Sequence, residues 1–196
     1  NLIVIGAGSG GLVTAYIAAT IKAKVILVEK GEMGGDCLNT GCIPSKSLIA
    51  SAKFIHEISQ SENYGIRQAS CDFDFAEVMQ RVHRVIDSIR PHDSVERFTA
   101  LGVDVIKGQA EITSRHSVRV NGQELTARSI VIAAGAEPFV PPIEGLEHCG
   151  YYTSDTIWNL TELPKKLIIL GGGPIGSELT QCFARFGSEV TLVERS

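Results

Sequence analysis

Two cysteines five positions apart, Cys37 and Cys42, lie in the stretch Gly34-Gly35-Asp36-Cys37-Leu38-Asn39-Thr40-Gly41-Cys42-Ile43-Pro44-Ser45-Lys46. Pro44 marks a helix start, because the first helical turn does not need the N–H that proline lacks. The thiolate is the nucleophilic form of cysteine, and a helix N-terminus favours it. Cys42, just before the Pro44 helix, is expected to feel that dipole, and Lys46, one turn in, adds positive charge. Cys37 is expected on the preceding loop, facing a substrate. The stretch follows a strand–turn–helix–strand unit with the marks of a dinucleotide site. In that setting the two cysteines read as a dithiol/disulfide couple beside a bound dinucleotide, and the chemistry as redox. Three other readings stay open: unpaired buried thiols, a structural disulfide and a metal site. His56, His83, His92, His116 and His148 show no clustered metal-ligand spacing. Cys71, Cys149 and Cys182 read as ordinary small residues, buried or partly so.

The elements that position these residues come from a repeat. Leu2-Ile3-Val4-Ile5-Gly6-Ala7-Gly8-Ser9-Gly10-Gly11 aligns without gaps with Leu167-Ile168-Ile169-Leu170-Gly171-Gly172-Gly173-Pro174-Ile175-Gly176, an offset of 165 (171 − 6). Val25–Lys30 aligns in the same way with Val190–Arg195. Each copy carries G-x-G-x-x-G after an apolar strand: Gly6, Gly8 and Gly11, then Gly171, Gly173 and Gly176. Each has a glutamate 23 residues after its first glycine (29 − 6 and 194 − 171), Glu29 and Glu194. The glycines allow the tight turn, the approach of a pyrophosphate and close helix–strand packing, while the acidic residue suits a ribose diol. Two such units predict two dinucleotide sites in an α/β chain.

Between the copies, Ser45 to about Gln60 is predicted helical. Phe75 to about Gly102 is also predicted helical, with Val78, Val82, Val85, Ile86 and Ile89 on one face and a break at Pro91. Residues 103–106, 110–112, 117–120 and 124–126 read as short strands, with Asn121-Gly122 turning the last pair. Ser129–Ala134 reads as a buried strand ending at Gly135. The predicted domains are 1–163, dinucleotide-binding with the cysteine pair, and 164–196, the beginning of a second dinucleotide domain.

The chain has 196 residues, a formal charge of −4 and 44% hydrophobic residues. No basic block suggests nucleic acid. No run of about 18 apolar residues suggests a membrane helix. The cytoplasm is the expected compartment. The absence of an initiator methionine and the end at Ser196, just after a strand, lead to the expectation of a piece of a larger protein.

Gly-Gly-x-Cys-x-Asn-x-Gly-Cys-x-Pro-Ser-Lys at 34–46, Gly108-Gln109-Ala110 and Ser129–Ala136 together resemble the class I pyridine nucleotide–disulfide oxidoreductases. That family includes mercuric reductase, dihydrolipoamide dehydrogenase and glutathione reductase. Asp36 stands where threonine is commoner, and an ionised carboxylate there would repel a pyrophosphate. Ala134 also stands where many members have threonine. The resemblance implies a Rossmann-like FAD-binding domain of three-layer ββα character, followed by the start of a Rossmann NAD(P)-binding domain. It implies FAD on Gly6, Gly8, Gly11, Glu29, Lys30, Gly35, Asp36, Lys46, Ala110, Ala134 and Gly135. It implies NADH, with NADPH the other candidate, on Gly171, Gly173, Gly176 and Glu194. Cys42 would touch the flavin, Cys37 would be the interchange thiol, and Lys46 would pair with Glu178 beside the flavin. Electrons would pass from NAD(P)H through FAD to a Cys37–Cys42 disulfide, then to a small disulfide or a metal ion. A homodimer is implied for the longer protein, and this stretch alone is not expected to turn over. Asn39-Thr40 and Arg90–Phe98 look most like mercuric-reductase-like members. From a different class, a non-catalytic flavin-binding redox sensor would use the same fold.

Overall fold

The structure is a computed structural model that describes residues 1–195. The chain forms two compact units, each built from two stretches: Asn1–Asn39 with Ile86–Phe139, and Thr40–Val85 with Val140 onward.

The first unit begins with β1 (Leu2–Ile5), α1 (Ser9–Thr20) and β2 (Val25–Glu29), followed by the short α2 (Gly35–Asn39). The second unit then supplies α3 (Cys42–Ser59), a 3-10 turn at Ser61–Tyr64 and most of α4 (Phe75–Ile89), within which the units divide. The chain continues in the first unit with α5 (Val95–Ala100), β3 (Val103–Lys107), β4 (Ala110–Ser114), β5 (Ser117–Val120), β6 (Gln123–Thr126) and β7 (Ser129–Ile132). Four strands make a parallel sheet in the order β3-β2-β1-β7, with Leu2 opposite both Val25 and Ser129. The central strands β1 and β2 are nearly all apolar and largely buried, whereas β7, expected as a buried strand, is an end strand of this sheet among the described residues, with Ile132 exposed.

Alternation divides their side chains between two cores. Val4, Leu27 and Val103 meet Leu12, Ala15, Ala18 and Ala19 of α1 and Phe98 of α5. Ile3 and Val28 face the other way, onto Val118 and Val120 of an antiparallel β4-β5-β6 meander. Helix, sheet and meander give the expected ββα layering. Each fully buried Ile, Leu or Val contributes roughly 1.5–3 kcal/mol. Asn121 (φ 51°) and Gly122 (φ 79°) both adopt positive φ in the β5–β6 turn, as a two-residue hairpin turn of primed type requires.

In the second unit, α6 (Leu146–Cys149) and a 3-10 turn at Ile157–Asn159 lead to β8 (Lys166–Leu170), α7 (Pro174–Phe186) and β9 (Glu189–Val193). β8 and β9 pair in parallel, Leu167 opposite Val190. Phe183 and Phe186 of α7 stack with Phe73 and Phe75, ring centroids 5.6–6.0 Å apart. α4 ends at Ile89 and a 3-10 turn carries Pro91, so the expected break is present. Its buried stripe is Phe75, Met79, Val82 and Ile86.

Local differences from the sequence reading have simple causes. α3 starts at Cys42 rather than Ser45, because proline fits the first turn as well as the first residue. Cys37 lies in α2, where a loop was expected; Asn39 Nδ2 donates to Met33 O at 3.0 Å and Gly35 O at 2.9 Å and closes that turn. Cys71 and Cys149 are exposed, not buried, while Cys182 is buried.

Candidate functional site

The first glycine turn joins β1 to α1. Gly6 has φ 100°, and a Cβ there would lie 2.1 Å from Ala133 O. A Cβ on Gly11 would lie 1.8 Å from Gly6 O. The fold therefore requires glycine at both positions. Gly8 is different: its backbone is extended, and a Cβ would meet only Gly35 Cα at 3.7 Å. Packing leaves room there that a side chain would fill, and that room opens on the first turn of α1. Gly8 caps α1 without a side chain, and the first intrahelical bond runs from Leu12 N to Gly8 O at 2.9 Å. The N–H groups of Ser9, Gly10 and Gly11 precede it, the anion-attracting arrangement of a helix N-terminus. Gly34 N donates to Ala7 O at 2.9 Å and brings Gly35 against Gly8. This cradle suits the diphosphate of a dinucleotide.

Glu29 closes the turn from below. One carboxylate oxygen accepts from Ala7 N at 2.5 Å and the other from Gly31 N at 2.6 Å, with the residue 9% exposed. Each oxygen keeps a lone pair for a ribose hydroxyl. Gly108 N donates to Glu29 O at 2.8 Å, which fixes Gly108-Gln109-Ala110 beside the strand end. Lys30 pairs instead with Glu137 at 3.7 Å, both side chains being mostly exposed. Asp36 is exposed in α2, and its Oδ2 lies 3.8 Å from the point where a Cβ on Gly135 would sit. Ala134 lies against Gly6, past the end of β7. The structure thus gathers Gly6, Gly8, Gly11, Glu29, Gly35, Asp36, Ala134 and Gly135 in one unit, with Ala110 opening β4.

The second turn repeats several of the first turn's backbone contacts. Gly171 has φ 104°, and a Cβ on Gly176 would lie 1.9 Å from Gly171 O. Ser177 N donates to Gly173 O at 2.9 Å, matching Leu12 and Gly8. Glu194 accepts from Gly172 N with one oxygen and from Arg195 N at 2.7 Å with the other. Two differences stand out. Pro174 replaces Ser9 at the first helical position and so has no N–H to offer. Among the described residues nothing lies within 4 Å of a Cβ on Gly171 or Gly173, whereas Gly6 meets Ala133 and Gly8 meets Gly35.

Cys42 is the first residue of α3, with Gly41 as its cap. The backbone bond from Ser45 N to Gly41 O at 3.0 Å closes the first turn of the helix, so Cys42 sits at its positive end. Cys42 and Lys46 are exposed and Cys37 is half-buried. α3 packs on α7, the helices of Lys46 and Glu178. The two exposed side chains do not join as an ion pair among the described residues, and such a pair in water gains little.

Sequence reasoning missed Trp158, which is 5% exposed. Its indole Nε1 donates to Thr40 O and to Ser154 O, each at 2.7 Å. The only advance signal was its being the chain's single tryptophan. Elsewhere on α7, burial pushes the Cys182 thiol up from 9.0 to about 11; Arg185 opposes the rise and Glu178 adds to it. No helix among the described residues is long and apolar enough to cross a membrane.

A family model described as "Pyridine nucleotide-disulphide oxidoreductase" matches residues 1–196. A mercuric reductase of Lysinibacillus sphaericus is 36% identical over 100% of this chain and 36% of its own length. A dihydrolipoyl dehydrogenase of Acholeplasma laidlawii is 37% identical over 99% of this chain and 59% of its own. The Cu(II) complex of the HOCl-induced flavoprotein disulfide reductase RclA from Escherichia coli superposes with a TM-score of 0.84 at 36% identity, over 100% of this chain and 42% of that one. The chain thus spans between 36% and 59% of the length of these relatives.

Proposed function

The chain belongs to the pyridine nucleotide-disulphide oxidoreductase family, and from that premise we propose that it carries the dinucleotide cradle and dithiol of an NAD(P)H-dependent flavoprotein disulfide reductase. The observation that carries the reading is the room kept at Gly8, which the fold's own packing does not need, above three open N–H groups. Gly6, Gly8, Gly11, Gly35, Glu29, Ala110, Ala134 and Gly135 would hold FAD, with Lys30 and Asp36 at the rim. When bound, FAD supplies a two-electron relay between a nicotinamide and the cysteine pair.

The chain's own residues then divide the work. The positive end of α3 favours a thiolate on Cys42. Lys46 adds positive charge on the same helix, with Glu178 as its proposed partner. With both cysteines reduced, the Cys37 thiolate attacks one sulfur of a substrate disulfide and expels the other as a thiolate, which takes up a proton. Cys42 then attacks Cys37 Sγ, releases the second substrate thiol and leaves a Cys37–Cys42 disulfide. Two electrons and two protons enter the substrate, and one NAD(P)H with one proton restores the dithiol. A thiophilic metal ion is the other substrate class; mercuric reductase is the name borne by one relative. At the second turn, Glu194 favours NADH, because its carboxylate would repel a 2′-phosphate.

The test is a visible spectrum of the full-length protein, taken without oxygen before and after reduction by a dithiol. Bound flavin that gains a long-wavelength band on reduction, lost in Cys42→Ser, is the expected result. A full-length protein with no flavin overturns the reading.

A further inference from the structure

The carboxylate of Asp36 stands at the mouth of the first glycine turn without a partner. Its neighbour Gly35 is pressed onto that turn: a Cβ on Gly35 would lie 2.6 Å from Gly8 Cα. Asp36 Oδ2 in turn lies 3.8 Å from where a Cβ on Gly135 would sit, and Gly135 follows Ala133 and Ala134, which lie against Gly6. The side chain is therefore held between the two segments that frame the turn. It is exposed, and its carboxylate forms no hydrogen bond or ion pair among the described residues.

The surrounding charge does not offset it. Ligands of such folds bind outside the carboxyl ends of the strands. Along that edge two cations, Lys30 and Lys107, meet four carboxylates, Glu29, Glu32, Asp36 and Glu137. Lys30 is paired with Glu137. Lys107 lies opposite Glu29 in the β2–β3 register and donates to Gly31 O. The start of α1 attracts an anion, but a bare carboxylate beside it works against the same anion. A hard divalent cation resolves the conflict. Magnesium keeps several of its waters and takes one or two carboxylates together with phosphate oxygens. Asp36 and a seated diphosphate are that donor set. Among the described residues no three His, Cys, Asp or Glu side chains group to hold a metal ion, so the diphosphate must supply the other oxygens. We propose that Asp36 is a divalent-cation ligand that works only with the dinucleotide in place: its carboxylate and the FAD diphosphate share one Mg²⁺, and each of the two ligands tightens the other. The proposal rests on the functional reading above, in which this turn holds FAD.

The experiment uses the full-length protein stripped of its flavin. It is titrated with FAD, and flavin fluorescence gives Kd, once in millimolar Mg²⁺ and once in EDTA with NaCl matching the ionic strength. The expected Kd is about tenfold lower in Mg²⁺, an ordinary size for coupling between two ligands. Asp36→Asn removes the charge and keeps the shape at an exposed position. In that variant the Mg²⁺ effect disappears, and binding in EDTA is tighter than with Asp36. Equal Kd values in Mg²⁺ and EDTA for the unsubstituted protein overturn the proposal. So does an Mg²⁺ effect that survives in Asp36→Asn, because the cation then sits on the diphosphate alone. Tighter binding on acidification with no response to Mg²⁺ also overturns it, since a proton then meets the carboxylate. A full-length protein that takes up FAD under none of these conditions removes the functional reading, and this inference with it.

Discussion

Glycine at position 8 and glycine at position 11 do different jobs, and alanine separates them. A methyl group on Gly11 would drive into Gly6 O at 1.8 Å, so the turn must shift. Gly11→Ala is expected to cost about 1–3 kcal/mol in denaturant unfolding, as overpacking does. A methyl group on Gly8 meets nothing closer than 3.7 Å. Gly8→Ala is expected to leave stability within about 0.5 kcal/mol while weakening flavin retention on gel filtration. Equal loss of stability in the two variants would contradict this division. The cysteines allow a second contrast. Cys71 and Cys149 are exposed and should react with a thiol reagent in the native state, whereas Cys182, raised to about 11 by burial, should react only on unfolding. The linkage has a definite sign. Above pH 9 the unfolded thiol loses its proton while the folded one keeps it, so Cys182 takes stability away as pH climbs from about 9 toward 11. Urea midpoints across that range should fall less steeply in Cys182→Ala.

Legibility at the scale of elements depended on how local the signal was. The Asn121-Gly122 turn was readable because both residues need positive φ and nothing distant decides it. Asn121 also donates from Nδ2 to Lys107 O at 2.9 Å. Asn121→Gly relieves the positive φ but loses that exposed bond, so it is expected to be nearly neutral, whereas Asn121→Val should lose about 1–3 kcal/mol of thermal or denaturant stability, the cost of a branched residue forced into that conformation. The start of α3 was misjudged by three residues because Pro44 fits more than one place in a first turn, and the cap is a glycine with no side-chain signature. α2 was invisible because five residues carry no period, and its closing bonds come from one asparagine side chain. Trp158 was missed for a different reason: its acceptor Thr40 lies 118 positions away, a contact created by folding alone.

At the scale of the molecule, the repeat was the strongest signal, because strand, turn, helix and acid recur at a fixed offset and each part requires the others. The assignment of segments to two units was not legible, since a unit built from separate stretches leaves no mark in composition. The acid at the end of the second unit's strand carries a prediction for the whole protein. Full-length enzyme should show a higher kcat/KM for NADH than for NADPH, and Glu194→Ala should narrow that ratio about tenfold, one like-charge repulsion of roughly 1.4 kcal/mol. A native preference for NADPH would reverse the assignment.

The two turns nevertheless differ as hosts. The first offers Ser9, Gly10 and Gly11 N–H groups; the second loses one donor to Pro174. A diphosphate seated on the second turn would therefore gain one backbone hydrogen bond fewer than on the first, so one shared outline carries two strengths of anchorage.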